Sequence, residues 1–241
     1  LSHYLDEKDL GLFLDFAAYT IITEDNAAQY YPDHAYNHPL FTPDMRIYSD
    51  SKISRLLSSM TDDQSAGFLN EWNSSRSHRE KIYISYDSTI KVCQAGEIDL
   101  AETGHSKEGS DKPVFNYSVA YDRDNREPLF YEAYPGSIVD ISQLQFMLEK
   151  AEGYGYRHIG FILDRGYFSK GNIHFMDSKG YDFVIMVKGM KKLVRELILE
   201  VHGTFEQSRA TSIRAFRVNG TTVRRQLYPS DEKKRYFHIF Y

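Results

Sequence analysis

The sequence has little of what several protein classes require. It contains one cysteine, Cys93, in 241 residues, so no disulfide can form within the chain and a cysteine-based metal centre is not expected. No run reaches the roughly 18 apolar residues of a membrane-spanning helix, and the first residues do not resemble a signal peptide. We therefore expect a protein without membrane or disulfide partners, located in the cytoplasm.

Positive charge is scarce in one part of the chain and negative charge in the other. Residues 1–156 contain 13 Lys and Arg against 26 Asp and Glu, whereas residues 157–241 contain 16 against 8. The overall charge of −5 conceals this segregation. A positive C-terminal third favours a polyanionic partner, and attraction between the two parts of the chain is the alternative explanation.

Residues 1–80 are predicted to form a helical region. Apolar residues within 53–60 follow helix spacing, and Thr61 is typical of the N-cap of a second helix. Two short helices with a tight junction are compatible with a helix-turn-helix that places Lys52 and Arg55 on DNA. More often, such a pair belongs to a small helical domain that does not read DNA.

From residue 81 the pattern changes to strands, and residues 81–202 are predicted to form an α/β domain. Lys81–Ile90 alternates apolar and polar residues up to Asp87, and His158–Leu163 is an apolar run that stops at Asp164. The predicted order β-β-β-α-β-α-β-α describes a mixed sheet with an antiparallel start, parallel crossovers and helices on its faces.

Residues 203–241 are again strand-like, with Asn219 and Gly220 as the predicted hairpin turn. Upstream, Asp87 and Asp164 are both expected at strand ends, and they converge if their strands are neighbours in the sheet. Carboxylates on a rigid scaffold suit Mg²⁺, which prefers oxygen ligands. Taken alone, a strand-end aspartate is more often the cap of a turn.

An ordered set of segments resembles the DDE transposases of bacterial insertion sequences, which have a ribonuclease H-like catalytic domain. The resemblance runs from about Tyr19 to Tyr241 and is carried by YISYDST, the GHSK loop, PLFYEAYPG, FILDRGYFSKGNI and YDFVIMVKG. It implies that Asp87 and Asp164 are the first two acidic ligands of a two-metal Mg²⁺ or Mn²⁺ site. It also implies cleavage and transfer of DNA strands at transposon ends, a homodimer in synapsis, and a bacterial protein associated with the nucleoid when bound to DNA.

The third acidic ligand of that family, a glutamate in a Tyr-x-x-Arg-x-x-x-Glu signature, is not found. Tyr154 and Arg157 begin the pattern, but position 161 is Phe and the segment precedes Asp164. Residues 203–241 resemble the start of the β-rich insertion that precedes the glutamate in such relatives. Because the chain also starts at Leu and stops inside a strand-like run, we expect a truncated and poorly active chain whose glutamate lies beyond Tyr241. Either of two helical glutamates is a weaker candidate: Glu196 and Glu200.

Several side chains are candidates for DNA contacts. They are Arg165, Tyr167, Lys188, Lys191, Lys192, Arg224, Arg225 and Lys233–Arg235. For Arg165 and Tyr167 the alternative is a structural role in the turn after Asp164, and for the others it is an ordinary solvated surface. Two other functions stay open: a truncated DNA-binding remnant without catalysis, and a ribonuclease H-like nuclease that cuts without joining. His34 and His38 have zinc-like spacing, but no third ligand is near them in sequence, which favours a metal-free pair.

Overall fold

The computed structural model describes residues 1–76, 82–93, 98–103, 112–138, 140–156 and 158–241. All structural statements below concern these residues. The GHSK segment noted above lies outside them. Within the described part of the chain, no helix is both long and apolar enough to cross a membrane.

Three N-terminal helices pack around a small core of their own. They are α1 (Glu7–Thr23), α2 (Tyr31–Tyr36) and α3 (Asp50–Ser58). The shared core is apolar and consists of Leu12, Tyr19, Tyr31, Ala35, Ile53 and Leu56. Ile53 and Leu56 belong to the helix spacing noted in the sequence, whereas Leu57 of the same segment is exposed. Asp15 of α1 holds the 41–42 loop, because its carboxylate accepts hydrogen bonds from the Phe41 and Thr42 amides at 2.6 and 3.0 Å.

Helix α4 (Asp62–Ser74) packs against the main sheet, whereas Ile53 and Leu56 of α3 belong to the N-terminal core. The N-terminus of α4 is a capping box in which Thr61 and the side chain of Gln64 satisfy each other's backbone amides. The Trp72 indole N–H donates to the Pro128 carbonyl at 2.8 Å, and Leu69 lies in the core of the sheet. Helices α3 and α4 therefore lack the shared core of a helix-turn-helix. On α3, Lys52 is paired with Asp9 at 2.6 Å.

The main sheet has six described strands and follows the predicted order, with one additional short strand. The strands are β1 (Ile82–Val92), β2 (Glu102–Thr103), β3 (Pro113–Asp122), β4 (Glu127–Pro135), β5 (Ile159–Leu163) and β6 (Asp182–Ile185). The sheet runs β2-β3-β1-β5-β6, and β4 also pairs with β3. Strand β3 is antiparallel to its neighbours, whereas β1, β5 and β6 are parallel. The mixed α/β sheet that the sequence predicts is confirmed.

Two crossover helices cover one face of this sheet. Helices α5 (Asp140–Gly153) and α6 (Lys170–Ser178) connect β4 to β5 and β5 to β6. Their apolar residues share one core with alternate residues of β1: Ile82, Ile84, Tyr86, Leu144, Met147, Leu148, Ala151, Ile173 and Met176. The intervening β1 residues before position 87 are only half-buried, so the sheet has one fully packed face and one partly open face.

A three-stranded sheet follows helix α7 (Lys191–Val201). It consists of β7 (Ser212–Ile213), β8 (Val218–Gln226) and β9 (Lys234–Phe240). The prediction of a turn at Asn219 and Gly220 is wrong, because both residues lie inside β8 and Gly220 pairs with Phe240. The turn between β7 and β8 spans residues 214–217, and Arg217 has a positive φ of 54° there.

Candidate metal-binding active site

The pairing of β1 with β5 aligns Asp87 with Asp164. The parallel ladder runs from Ile82↔Ile159 to Tyr86↔Leu163 without a shift. Asp87 and Asp164 each come one residue after the last pair, so the same register places them side by side. Neighbouring strands lie about 4.8 Å apart. The convergence of two strand-end carboxylates, proposed from the sequence, requires this alignment.

Both carboxylates lie on the partly open face of the sheet. Tyr86 and Leu163 are buried at 2% and 4% exposure, and side chains alternate between faces along a strand. Asp164 keeps the extended backbone of the strand, with φ −72° and ψ 162°. Both aspartates are exposed. They therefore point away from the packed core on the same side of the sheet.

The sequence predicted Asp87 at the end of its strand, but Asp87 lies inside β1. Strand β1 continues to Val92, which pairs with Val114 of β3. The neighbouring strand β5 is the one that ends here, since its last residue, Leu163, pairs with Tyr86. The open edge arises because β1 is longer than the parallel strand beside it, and burial of β1 residues falls from that point on.

Asp164 is held by the tight turn that follows it. It is the N-cap of a 3₁₀ helix, Arg165–Tyr167, and its carboxylate accepts a hydrogen bond from the Gly166 amide at 3.3 Å. Tyr167 is 1% exposed, and its ring centroid lies 5.4 Å from that of Tyr86. Tyr167 is therefore a core residue that supports the turn and not the DNA-facing side chain predicted from the sequence. Arg165 is exposed.

The third parallel strand brings positive charge to the same edge. Leu163 pairs with Ile185 of β6, so the residues after β6 leave the sheet beside Asp164. Lys188 follows β6 by three residues and is exposed. Lys191 and Lys192 are exposed at the start of α7, and Lys192 Nζ lies 4.0 Å from Glu196 Oε1.

The predicted cations of the C-terminal sheet differ in their contacts. Arg225 is paired with Glu200 at 2.6 Å, and Arg235 and Lys233 are both paired with Asp177. Arg224 lies over the Tyr236 ring at 5.5 Å. Sequence reasoning missed Tyr236 and other aromatic residues that this sheet exposes, although their alternation along β9 was a usable signal.

The two aspartates fit a divalent metal in donor chemistry but do not by themselves complete a site. Two exposed carboxylates at adjacent register positions supply the oxygen ligands that Mg²⁺ prefers. Among the residues that the structure describes, no group of three or more His, Cys, Asp or Glu side chains is placed to hold a metal. Glu200 is engaged with Arg225, which weakens it as a third ligand.

Comparison with known proteins gives a family for the part of the chain that contains the main sheet. A family profile described as "Transposase DDE domain" matches residues 79–240, about two thirds of the chain. Curated protein sequences give no match.

Solved structures with similar chain traces include three transposases. The piggyBac transposase synaptic complex with hairpin DNA is 11% identical, with a TM-score of 0.48, over 97% of this chain and 52% of that one. The Drosophila P element transposase strand transfer complex is 15% identical, with a TM-score of 0.38, over 77% and 43%. The Mos1 transposase paired-end complex is 9% identical, with a TM-score of 0.32, over 78% and 64%. The chain thus spans less than two thirds of the length of each. By the match of the family profile across most of its length, the chain belongs to the transposase DDE domain family.

Proposed function

We propose that this chain carries the catalytic sheet of a DNA transposase that cleaves and joins phosphodiester bonds at transposon ends. The observation that carries the proposal is the register that aligns Asp87 with Asp164 on the open face of the sheet. The family resemblance adds DNA ends and target DNA as substrates, a homodimer in synapsis and action in the bacterial cytoplasm.

Asp87 and Asp164 are the residues that would hold Mg²⁺ or Mn²⁺. A bound pair of such ions would supply activation of the attacking oxygen and stabilisation of the leaving oxygen in an in-line displacement at phosphorus. The protein's own part is to keep two carboxylates at fixed positions. The β1–β5 ladder fixes their backbones, and the Gly166 amide orients the Asp164 carboxylate. DNA phosphates and water complete the ligands in this proposal.

Positive side chains beside the pair would position the DNA strand. Arg165 follows Asp164 directly, and Lys188 follows the neighbouring strand β6. Both are exposed and can neutralise phosphates next to the reacting one without sequence preference. Their proximity to the carboxylates also offsets the repulsion between a negative site and a polyanion.

Metal binding tests the site without requiring turnover. Mn²⁺ binding to the purified chain, followed by electron paramagnetic resonance, should weaken at least tenfold in Asp87→Asn and in Asp164→Asn. Asp182→Asn is the matched control, because Asp182 is exposed on β6 at the opposite end of the parallel strands. Equal Mn²⁺ affinity in all four proteins would refute the assignment of the site.

A second candidate function is DNA binding without cleavage. It is favoured by the finding that the described residues contain no cluster of three potential metal ligands. A plasmid nicking assay with Mg²⁺, run beside a gel-shift assay, separates the two functions. A salt-sensitive shift without any Mg²⁺-dependent product supports binding alone. Nicking that disappears in Asp87→Asn supports the transposase, and a strand-transfer assay then distinguishes joining from simple nuclease activity.

A further inference from the structure

One face of the β8–β9 ribbon is exposed and combines aromatic rings with positive charge. Cross-strand pairs on this face are Arg224↔Tyr236 and Gln226↔Lys234. Tyr236 is 66% exposed and Phe240 is 60% exposed. Large rings are usually buried, so two of them on one open sheet face indicate a binding surface. We call the set Arg224, Lys234, Tyr236, His238 and Phe240 the ribbon face.

The opposite side of the same ribbon is packed and charge-paired. Val223 and Phe237 are buried in the core of the main sheet. Arg225 is bound to Glu200, and Arg235 to Asp177. Adjacent residues of β8 thus have opposite roles: Arg225 contributes to the intramolecular contact, whereas Arg224 faces solvent and lies over Tyr236.

Charge on this part of the chain is one-sided. Residues 207–241 contain eight Lys and Arg but only two acidic residues, Asp231 and Glu232. The side chain of Asp231 is 7% exposed and accepts a hydrogen bond from the Tyr228 amide. Arg214 and Arg217, in the turn before β8, are exposed at one end of the ribbon.

The positive charge of the ribbon face excludes two kinds of partner that commonly cover an apolar sheet face: a second copy of the same chain and an apolar segment. A second copy of this chain, placed face to face on the ribbon, would bring the same cations together and be repelled. An apolar segment would have to bury Arg224 and Lys234 without partners, which costs several kcal/mol per unpaired ion. A polyanion with stacking surfaces satisfies both the cations and the rings.

We propose that the ribbon face binds an unpaired DNA strand. Tyr236 and Phe240 stack on bases, and Arg224 and Lys234 contact phosphates. The strand is unpaired because rings on an open sheet face reach base surfaces only where these are not covered by neighbouring bases. The inference rests on the proposed function for its choice of DNA, but it concerns a surface separate from Asp87 and Asp164.

Fluorescence anisotropy tests this with a labelled single-stranded oligonucleotide and the matching blunt duplex. EDTA is present, so the metal site contributes nothing and failure of the ribbon face is distinguished from failure of the proposed catalysis. We expect tighter binding of the single strand. Tyr236→Ser should weaken it about tenfold, as expected from the stacking of one base. Arg224→Gln should also weaken it and reduce the slope of log affinity against log salt by about 0.7.

Arg225→Gln is the matched control, since it removes the same charge from the packed side of the same strand. It should leave the affinity and the salt slope nearly unchanged. Equal effects of Arg224→Gln and Arg225→Gln would overturn the proposal, as would tighter binding of the duplex. Loss of binding to phosphatidylserine vesicles in Arg224→Gln and Tyr236→Ser, with unchanged DNA binding, would assign the ribbon face to a membrane surface and equally overturn it.

Discussion

Arg235 of β9 and Asp177 of α6 form an ion pair that joins the C-terminal sheet to the main sheet. One guanidinium nitrogen of Arg235 lies 3.2 Å from Asp177 Oδ1, the other contacts Oδ2, and Lys233 Nζ reaches Oδ1 at 3.0 Å. The Arg235 and Asp177 side chains are only 14% and 23% exposed. This contact turns one side of the β8–β9 ribbon inward and leaves the other open.

Asp177→Asn should therefore destabilise the protein. Charge-assisted hydrogen bonds in a partly buried pair contribute about 1.5–3 kcal/mol, and we expect a loss in this range of unfolding free energy in urea at pH 7. Glu200→Gln is the control, because it breaks the more exposed pair with Arg225, worth about 0–1 kcal/mol. Equal losses in the two variants would contradict a structural role for Asp177.

The same pair predicts a pH dependence. Burial acts to raise the pKa of Asp177, but hydrogen bonds from Arg235 and Lys233 outweigh it and hold the pKa below its ordinary value of 3.8. A carboxyl with a lowered folded-state pKa stabilises above its unfolded pKa and loses this contribution as the pH falls through the folded pKa. The stability difference between wild type and Asp177→Asn should be constant from pH 5 to 7 and shrink below about pH 4. A difference that grows on acidification would refute this.

Asp15 is expected to be essential to the N-terminal helical cluster. It is 3% exposed and accepts hydrogen bonds from the Phe41 and Thr42 amides and from the Thr42 hydroxyl. Asp15→Ala leaves these donors unsatisfied, at about 1–3 kcal/mol for each buried group. Hydrogen–deuterium exchange should accelerate in residues 38–45, whereas Asp33→Ala, on the exposed side of α2, should leave it unchanged. Unaltered exchange in Asp15→Ala would show that other contacts hold the loop.

The position of the β7–β8 turn gives a comparison between two residues. Arg217 has a positive φ of 54°, so Arg217→Gly should stabilise the protein by about 0.5–1 kcal/mol. Gly220 lies in a strand, where an added Cβ would meet Phe240 and Ile213 side chains at 3.0–3.1 Å. Gly220→Val should destabilise by about 1–3 kcal/mol through overpacking. Thermal denaturation measures both changes in stability. Destabilisation by Arg217→Gly together with stabilisation by Gly220→Val would indicate that the turn lies at positions 219 and 220.

Asp87 and Asp164 should act as one unit in cleavage. If both hold the same metal ions, Asp87→Asn and Asp164→Asn each remove nearly all Mg²⁺-dependent cleavage, and the double variant is no slower than either. Single-turnover nicking rates, measured in a protein for which wild-type cleavage is established, test this. Additive losses would indicate that the two aspartates contribute independently and do not share a site.

Local sequence patterns predicted most elements of the fold. Alternation predicted β1, an apolar run predicted β5, and helix spacing predicted α3. These succeeded because the backbone geometry of one element imposes a period on its own residues. The turn at 219–220 was mispredicted because an Asn-Gly pair favours a turn only when long-range pairing does not draw it into a strand. Here Asn219 exchanges backbone hydrogen bonds with Tyr241.

The sequence by itself determined that two aspartates follow strand-like runs and that the C-terminal third is basic. Only the tertiary structure decided that β1 and β5 pair in the register that aligns those aspartates, that Tyr167 is buried, and that Arg224 and Arg225 serve different faces. The physical reason is that a period of two shows which residues share a side of a strand, but not which side becomes covered. That choice depends on contacts between residues far apart in sequence, such as Arg235 and Asp177.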